Sequence, residues 1–588
     1  MFQPLTAQVD AILRDAFAAL NLPSEHARAA ISGRPELADL QCNGAMPAAK
    51  AVGGNPRAIA SDIRDIISAR PEFAEVSVAG PGFLNMRLSP ALLARTATEM
   101  GWDESLGVAD EGGGRIAIVD FGGPNVAKPL HVGHLRSLVI GESLRRVLKA
   151  QAWRVVADAH LGDWGLQIGM LTSEIRRRAP SLPWFAPDFA GPWPSAAPVT
   201  VDELELLYPE AAAACAADPT RMDEARADTA ALQAGDAGLT ALWRSLRALS
   251  LEAQERDFAS LGVRFDLLNG ESDAQPLIAP LVEDLRRRGL VIESDGAIVF
   301  PIAEAGDRKE MPPLLLAKGD GAALYATTDL ATLADRVAKM GAERILYVVD
   351  QRQALHFEQV FRAARKAGLS GAAELRHVGF GTVNGPDGKP YKTRQGGVAR
   401  LSDLLDEAVA RAALRLEETG YGSGLDDAAK ADLARKVGIA AVKFADLTGD
   451  RLSGYVFDPE RFVSFEGRTG PYLQYACVRI RSIMAKARER RVHAGALAPT
   501  SRLETDLLLA CVSFPAAVSE AARQMQPGVL AEYAFELAQS FSRFYAECPV
   551  LAASDATEQA SRLAMCRLTG LVLERSLDLL GIDVPERM

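Results

Sequence analysis

The residue types best suited to chemistry meet first at Pro124-Asn-Val-Ala-Lys128-Pro-Leu-His131-Val-Gly-His134, where two imidazoles flank a glycine. Imidazole N–H groups can donate hydrogen bonds to phosphate oxygens, and a lysine upstream can neutralise the charge that grows as pyrophosphate departs. Gly133 lacks a Cβ, so a nucleotide can approach the backbone closely. A second basic group lies far along the chain, in Val383-Asn-Gly-Pro-Asp-Gly-Lys-Pro-Tyr-Lys392-Thr-Arg394-Gln-Gly-Gly397. Glycines flank its cations, as suits a mobile clamp over phosphates. Each feature also has a plainer reading: the histidines as caps of an ordinary helix, Lys128 as a surface lysine in a loop.

The elements that must position these groups are visible in the apolar pattern. Ile116-Ala-Ile-Val119 predicts a strand before the histidine turn, and Leu135 to Leu144 predicts a helix after it. Strand, turn and helix N-terminus is the geometry that receives a triphosphate. From about residue 115 to 395, β-type runs alternate with amphipathic helices, which predicts a Rossmann-type parallel-sheet core. A Pro- and Ala-rich stretch at about 180–240 reads as an insertion into it. Residues 1–110 read as an N-terminal α/β domain, 396–455 as a mostly helical connecting region, and 456–588 as an all-α helical bundle. The predicted fold class is therefore α/β with two accessory domains.

Composition bounds the function. A chain of 588 residues, 48% hydrophobic and 24% charged, has ample core for several domains. No apolar run approaches the ~20 residues that span a bilayer, and the N-terminus lacks a signal-peptide pattern. The expectation is a cytoplasmic protein without a membrane partner. The six cysteines are scattered without a C-x-x-C or a nearby histidine, which argues against zinc and against a disulfide framework. A net charge of −11 argues against nucleic acid as a bulk partner. Local runs such as Arg479-Ile-Arg481 with Lys486 to Arg491 could still meet phosphates, or be solvated helix faces. The aromatic stripe Phe541, Phe544, Tyr545 has helical spacing and reads as core before RNA-stacking platform.

The histidine string in its strand-to-helix context resembles the HIGH signature of class I aminoacyl-tRNA synthetases, and the later loop stands where their KMSKS signature falls. Aligning Tyr391-Lys-Thr-Arg394 on K-M-S-K puts Arg394 in place of the second lysine. That departure, with Lys128 before the first signature, resembles one family of the class, the arginyl-tRNA synthetases. Other segments are similar to it along nearly the whole chain: Asp39 to Met46, Ala79 to Asn85, His160-Leu-Gly-Asp-Trp-Gly165, Tyr325-Ala-Thr-Thr-Asp329, Gln353-Ala-Leu-His356, Pro471 to Tyr475 and Leu580 to Met588.

The resemblance implies ATP-dependent activation of L-arginine to arginyl-adenylate, then transfer to the 3′ end of tRNA(Arg). It implies Mg²⁺ arriving with ATP, no metal held by the protein, and a monomer. Residues 1–110 become an additional tRNA-binding domain and 456–588 an anticodon-binding domain. Lys128, His131, His134, Lys392 and Arg394 become catalytic candidates. Pro124, Gly133, His134, His356, Gly379 and Phe380 become ATP-binding candidates, and Asp120, Asn125, His131, Tyr325, Asp329 and Gln353 arginine-binding ones. A physical argument stands beside this: a guanidinium needs carboxylates in its plane, and Tyr325 and Asp329, four apart, share a face if their stretch is helical. Asp329 reads alternatively as a helix N-cap. Two rival functions are a non-catalytic tRNA-binding paralogue and a class I-like nucleotidyltransferase, the latter usually much shorter.

Overall fold

The computed structural model describes residues 2–317, 324–391 and 399–588, so Lys392 and Arg394 lie outside the described residues. Contacts divide the chain into two compact units: Met1–Asp110 with Ala413–Phe444 and Val463–Met588, and Glu111–Ala412 with Ala445–Phe462.

In the first unit, the N-terminal part is a four-stranded antiparallel sheet of order β1-β2-β4-β3. Its strands are β1 (Ala29–Ile31), β2 (Leu40–Cys42), β3 (Phe73–Ala79) and β4 (Phe83–Leu88), accompanied by helices α1 (Leu5–Ala19), α2 (Ala45–Val52), α3 (Pro56–Ile67) and α4 (Pro90–Trp102). Asn55 starts α3 by accepting the N–H groups of Arg57 and Ala58, with Pro56 at the first helical position, where no N–H is needed.

The second unit holds a parallel sheet of order β11-β10-β5-β6, built from β5 (Ile116–Phe121), β6 (Arg154–Asp158), β10 (Ala342–Val348) and β11 (Glu374–His377). The run Ile-Ala-Ile-Val-Asp-Phe of β5 is buried almost throughout, as a central parallel strand covered on both faces must be. The chain leaves β5 through α5 (Val132–Ala150) to β6 on one side, and leaves β10 through α12 (Ala354–Lys366) to β11 on the other. That reversal opens a crevice at the carboxyl ends of β5 and β10. Between β6 and β10 come α6 (Leu166–Arg178), α7 (Val201–Ala217), α8 (Pro219–Gln233), α9 (Ala237–Ser260) and α10 (Glu271–Arg287). A small antiparallel sheet, β7 (Ile292–Ser294), β8 (Ala297–Phe300) and β9 (Leu314–Ala317), then precedes α11 (Tyr325–Ala338).

Helix α5 is buried on nearly every face, yet it carries Arg136, which is 1% exposed. Its guanidinium bonds Asp446 at 3.0 Å and the Ser453 carbonyl at 2.7 Å, so the charge is compensated where it is buried. Beyond β12 (Val383–Asn384), the chain passes through α13 (Leu401–Thr419) and α14 (Asp427–Leu447) to β13 (Tyr455–Val456), which pairs in parallel with β12. The short α15 (Pro459–Phe462) follows.

The rest of the first unit is helical: α16 (Gly470–Glu489), α17 (Arg502–Val512), α18 (Phe514–Gln524), α19 (Gly528–Glu547) and α20 (Ala556–Leu579). Helices α17 and α18 are separated at Ser513. Pro515 supplies no N–H and so sits in the first turn of a new helix. Among the described residues no single helix is long and apolar enough to cross a membrane.

Candidate active site

The histidine turn joins β5 to α5. His131 is the N-cap of α5, and its Nδ1 accepts the Gly133 N–H at 3.0 Å. His134 Nδ1 accepts the His131 N–H at 3.0 Å, so each imidazole satisfies a backbone donor at the helix start. A lone pair used this way puts the proton on Nε2 of His131, leaving that N–H free to donate outward; the His134 cap bond favours the same tautomer. Burial first, and His131 beside it, push the His134 pKa down to about 3; burial and Lys128 lower His131. Both rings are therefore neutral donors near pH 7. Their centroids lie 4.0 Å apart. A Cβ on Gly133 would come within 2.8 Å of His131 Nδ1 and would push on the capping imidazole.

Upstream, Asn125 pairs in bridge fashion with Gly162: the Val126 N–H donates to the Gly162 carbonyl, and the Gly162 N–H to the Pro124 carbonyl, both at 3.0 Å. A Cβ on Gly162 would fall 2.2 Å from Asn125 Oδ1, which explains the glycine in His160-Leu-Gly-Asp-Trp. Lys128 is partly buried, with its Nζ 4.4 Å from the ring centre of Tyr208 on α7.

Across the crevice, α11 begins at Tyr325 with Leu324 as its cap. Asp329 therefore lies in the second turn, and the N-cap reading of Thr328-Asp329 fails. Tyr325 and Asp329 share a helix face, as their spacing predicts. Asp329 Oδ2 is 2.6 Å from His356 Nε2, near the start of α12. His356, expected at the nucleotide, is thus engaged with the aspartate of the expected arginine pocket. Tyr325 is 64% exposed.

Sequence reasoning missed Glu271, the first residue of α10. Burial, abetted by Asp163 and Asp329 and opposed by His160 and a hydrogen bond from the Trp164 backbone, pushes its carboxyl up to about 7. Glu271 in turn helps raise the Tyr325 hydroxyl, after burial. A glutamate at a helix start ordinarily reads as a surface residue favoured by the helix dipole, so nothing local marked it out.

Asp120 is 7% exposed, and its Oδ2 lies 2.6 Å from the Arg336 guanidinium, which also holds Asp158 Oδ2 at 2.6 Å. Asp120, Asp158 and His160 form the one metal-compatible cluster among the described residues, and Arg336 already bridges both carboxylates with a positive charge. Both ring nitrogens of His160 are buried, with no hydrogen-bond partner among the described residues. Gln353 is exposed after β10, at the cap of α12. The Gly379 carbonyl accepts from Arg451, and a Cβ there would collide with Gln351 Oε1 at 1.9 Å. Phe380 is buried, its carbonyl accepting the Gln351 N–H at 3.0 Å. His377 stacks on Phe357 at 5.0 Å and bonds the Val349 carbonyl, a packing role.

In the other unit, a cleft of about 680 Å³ is lined by Tyr421, Tyr475, Arg479, Lys486, Arg490 and Tyr545, among others. Phe541 and Phe544 are core, as expected of the stripe, but Tyr545 is 39% exposed. Arg479 lies over Tyr475 and Tyr545, at 4.6 and 5.8 Å. Arg481, from the same basic run, is instead paired with Glu574 at 2.7 Å.

Comparison with known proteins adds the following. A family model for the catalytic domain of class I (R) tRNA synthetases matches residues 106–459, a DALR anticodon binding domain model matches 473–588, and an arginyl tRNA synthetase N-terminal domain model matches 4–88. An arginine–tRNA ligase of Maricaulis maris is 48% identical across 99% of this chain and 99% of its own length. One of Hyphomonas neptunium is 46% identical across 99% of this chain and 100% of its own. The solved arginyl-tRNA synthetase of Plasmodium falciparum matches at 26% identity and a TM-score of 0.83, covering 100% of both chains. That of Thermus thermophilus matches at 26% and 0.79, covering 99% of this chain and 100% of its own.

Proposed function

The chain belongs to the arginyl-tRNA synthetases and is an arginine–tRNA ligase, and from that premise we propose how its residues divide the work. Matches spanning nearly all of this chain and of its relatives leave no footing for a shorter nucleotidyltransferase, and the intact histidine turn speaks against a non-catalytic paralogue. The observation that carries the site reading is the pairing, in one unit, of an anionic group with two neutral imidazoles at a helix N-terminus.

Asp329 and Glu271 receive the guanidinium, with the Tyr325 hydroxyl at its edge and His356 orienting Asp329. Asn125, His131 and Gln353 hold the backbone end of arginine, over a floor shaped by Asp120 in its bond to Arg336. Pro124, Gly133, Gly379 and Phe380 border the nucleotide. The arginine carboxylate attacks the α-phosphorus of ATP, and the bond to the β-phosphate oxygen breaks as pyrophosphate leaves. His131 and His134 donate through Nε2–H to phosphate oxygens as charge builds, with Lys128, Lys392 and Arg394 adding positive charge. The terminal ribose hydroxyl of tRNA then attacks the activated carbonyl carbon, and AMP departs. Mg²⁺ belongs to the ATP substrate here. Arg336 already holds the Asp120 and Asp158 carboxylates, so that cluster does not suit a protein-held ion, and no step is derived through one.

The test uses Glu271. A guanidinium binds its ionised form, so arginine binding releases a proton wherever the free carboxyl is protonated. The KM for arginine should rise as pH falls below about 7, approaching a tenfold rise per pH unit. Glu271→Gln should weaken binding at pH 8 and flatten this dependence. A parent profile that is flat between pH 7.5 and 6 would remove Glu271 from the pocket.

For tRNA, we assign the aromatic and basic cleft around Tyr475, Arg479 and Tyr545 to bases and phosphates of the anticodon loop, and residues 1–110 to a further tRNA contact. Arg479→Glu with Lys486→Glu should weaken tRNA binding and flatten its salt dependence, since fewer counterions are released. An unchanged salt slope would return these residues to the solvent. Arg481→Glu is the wrong probe, because it breaks an internal ion pair. We place the enzyme in the cytoplasm as a monomer; its six cysteines are all free thiols, as a reducing compartment keeps them.

A further inference from the structure

The turn that carries Lys128 is braced from the insertion helices. Ala127 has a φ of +68°, a left-handed conformation that a residue with a Cβ rarely adopts. Its N–H donates to Ser250 Oγ on α9 at 2.9 Å. One turn later on the same helix, Gln254 Nε2 donates to the Asn125 carbonyl at 3.0 Å and to the Lys128 carbonyl at 3.1 Å. Ser250 and Gln254 are 4% and 1% exposed, and their spacing of four puts them on one face of α9. Val126 and Ala127 pack into the apolar core that Leu239, Leu242 and Leu246 of α9 share with Leu204 and Leu207 of α7. The ammonium of Lys128 rests over Tyr208, also on α7. Backbone and side chain alike therefore answer to the insertion.

We propose that Ser250 and Gln254 are positioning residues for arginine activation. They hold Ala127 left-handed and so fix the direction in which Lys128 leaves the backbone, while Tyr208 gives its ammonium a resting place. Neither residue touches substrate. The inference rests on the reading that Lys128 stabilises departing pyrophosphate. Without the three donated bonds the turn relaxes toward an ordinary φ, and the lysine swings with it. A displacement of about 1 Å suffices to cost a large factor in rate. The loss falls on chemistry, because the proposed guanidinium partners Asp329 and Glu271 stand on other elements.

The experiment is ATP–pyrophosphate exchange at saturating tRNA with a Ser250→Ala, Gln254→Leu double variant. We expect kcat to fall about tenfold or more, with the KM for arginine within about twofold of the parent. Adding Ala127→Gly should restore part of kcat, since glycine adopts a positive φ at no steric cost. Placed in a Lys128→Ala background, the double variant should cost nothing further, as residues acting through one group do not add. An unchanged kcat, failure of Ala127→Gly to rescue, or full multiplication with Lys128→Ala would each overturn the bracing role. If Lys128→Ala alone is fully active, the lysine reading falls and takes the brace with it, an outcome visible before any brace variant is made. Should the double variant not fold, Gln254→Met keeps the volume, removes two donated bonds and should show the same pattern more weakly.

Discussion

Asp329→Ala should raise the KM for arginine by roughly two to four decades and leave the KM for ATP within a few-fold. Stripping one partner from a largely desolvated ion pair typically costs ~3–5 kcal/mol, because the remaining charge stays buried without compensation. Asp329 is placed for that role by helix α11, which begins at Tyr325 and puts both residues on one face. The bond from His356 holds its carboxylate at 2.6 Å and fixes the oxygen that remains for ligand. Asp329→Asn separates charge from shape: it keeps the side-chain volume and a hydrogen-bonding oxygen, so a loss nearly as large as that of alanine would identify charge as the dominant factor. Initial rates at varied arginine, with ATP and tRNA saturating, give both constants. An arginine KM that moves less than a few-fold in the alanine variant would exclude Asp329 from the pocket.

Replacing the histidine donors should leave arginine binding nearly intact and lower kcat by about 10²-fold or more, the usual consequence of removing a donor aimed at developing charge. The fold imposes a control. His134 also caps α5 by accepting the His131 N–H, so His134→Ala removes the proposed donor and a cap together. His134→Asn can still accept that N–H and isolates the loss of Nε2–H. Lys128→Ala removes charge without touching a cap and should produce a comparable fall in kcat. Full activity in both His134 variants would show that the pair serves only the helix terminus.

What could be read from residues alone depended on how far apart the partners lie. Tyr325 and Asp329 are four residues apart, and spacing alone put them on one face. The N-cap alternative for Asp329 was settled only by where α11 starts. The histidine pair was read as phosphate chemistry, but its tautomer depends on which nitrogen accepts a backbone proton and its neutral state on burial, and sequence carries neither. Asp120 shows the limit most clearly. Its partner Arg336 is 216 residues away, and no periodicity connects strand β5 to the end of α11. Arg481 belonged to an apparently uniform basic run until Glu574, 93 residues on, claimed it. Glu271 looked like any acidic first-turn residue until burial beside Asp163 and Asp329 set it apart. The second signature was legible as a motif, while Lys392 and Arg394 lie outside the described residues.

The buried Arg136 of helix α5 has a consequence for how this enzyme is made. Its carboxylate partner, Asp446, follows 310 residues later, so the helix that begins with the histidine pair is electrically incomplete until roughly three-quarters of the chain has been synthesised. Pairing of β12 with β13 likewise waits for Tyr455. On a ribosome adding about 5–20 residues per second, a nascent chain would wait about 15 seconds or longer between making Arg136 and making its carboxylate partner. Contacts of such separation slow folding and prolong exposure of apolar surface. The helix whose N-terminus we propose to face the nucleotide is therefore completed late in translation, and a chain released before Asp446 should bind ATP poorly, however complete its sheet.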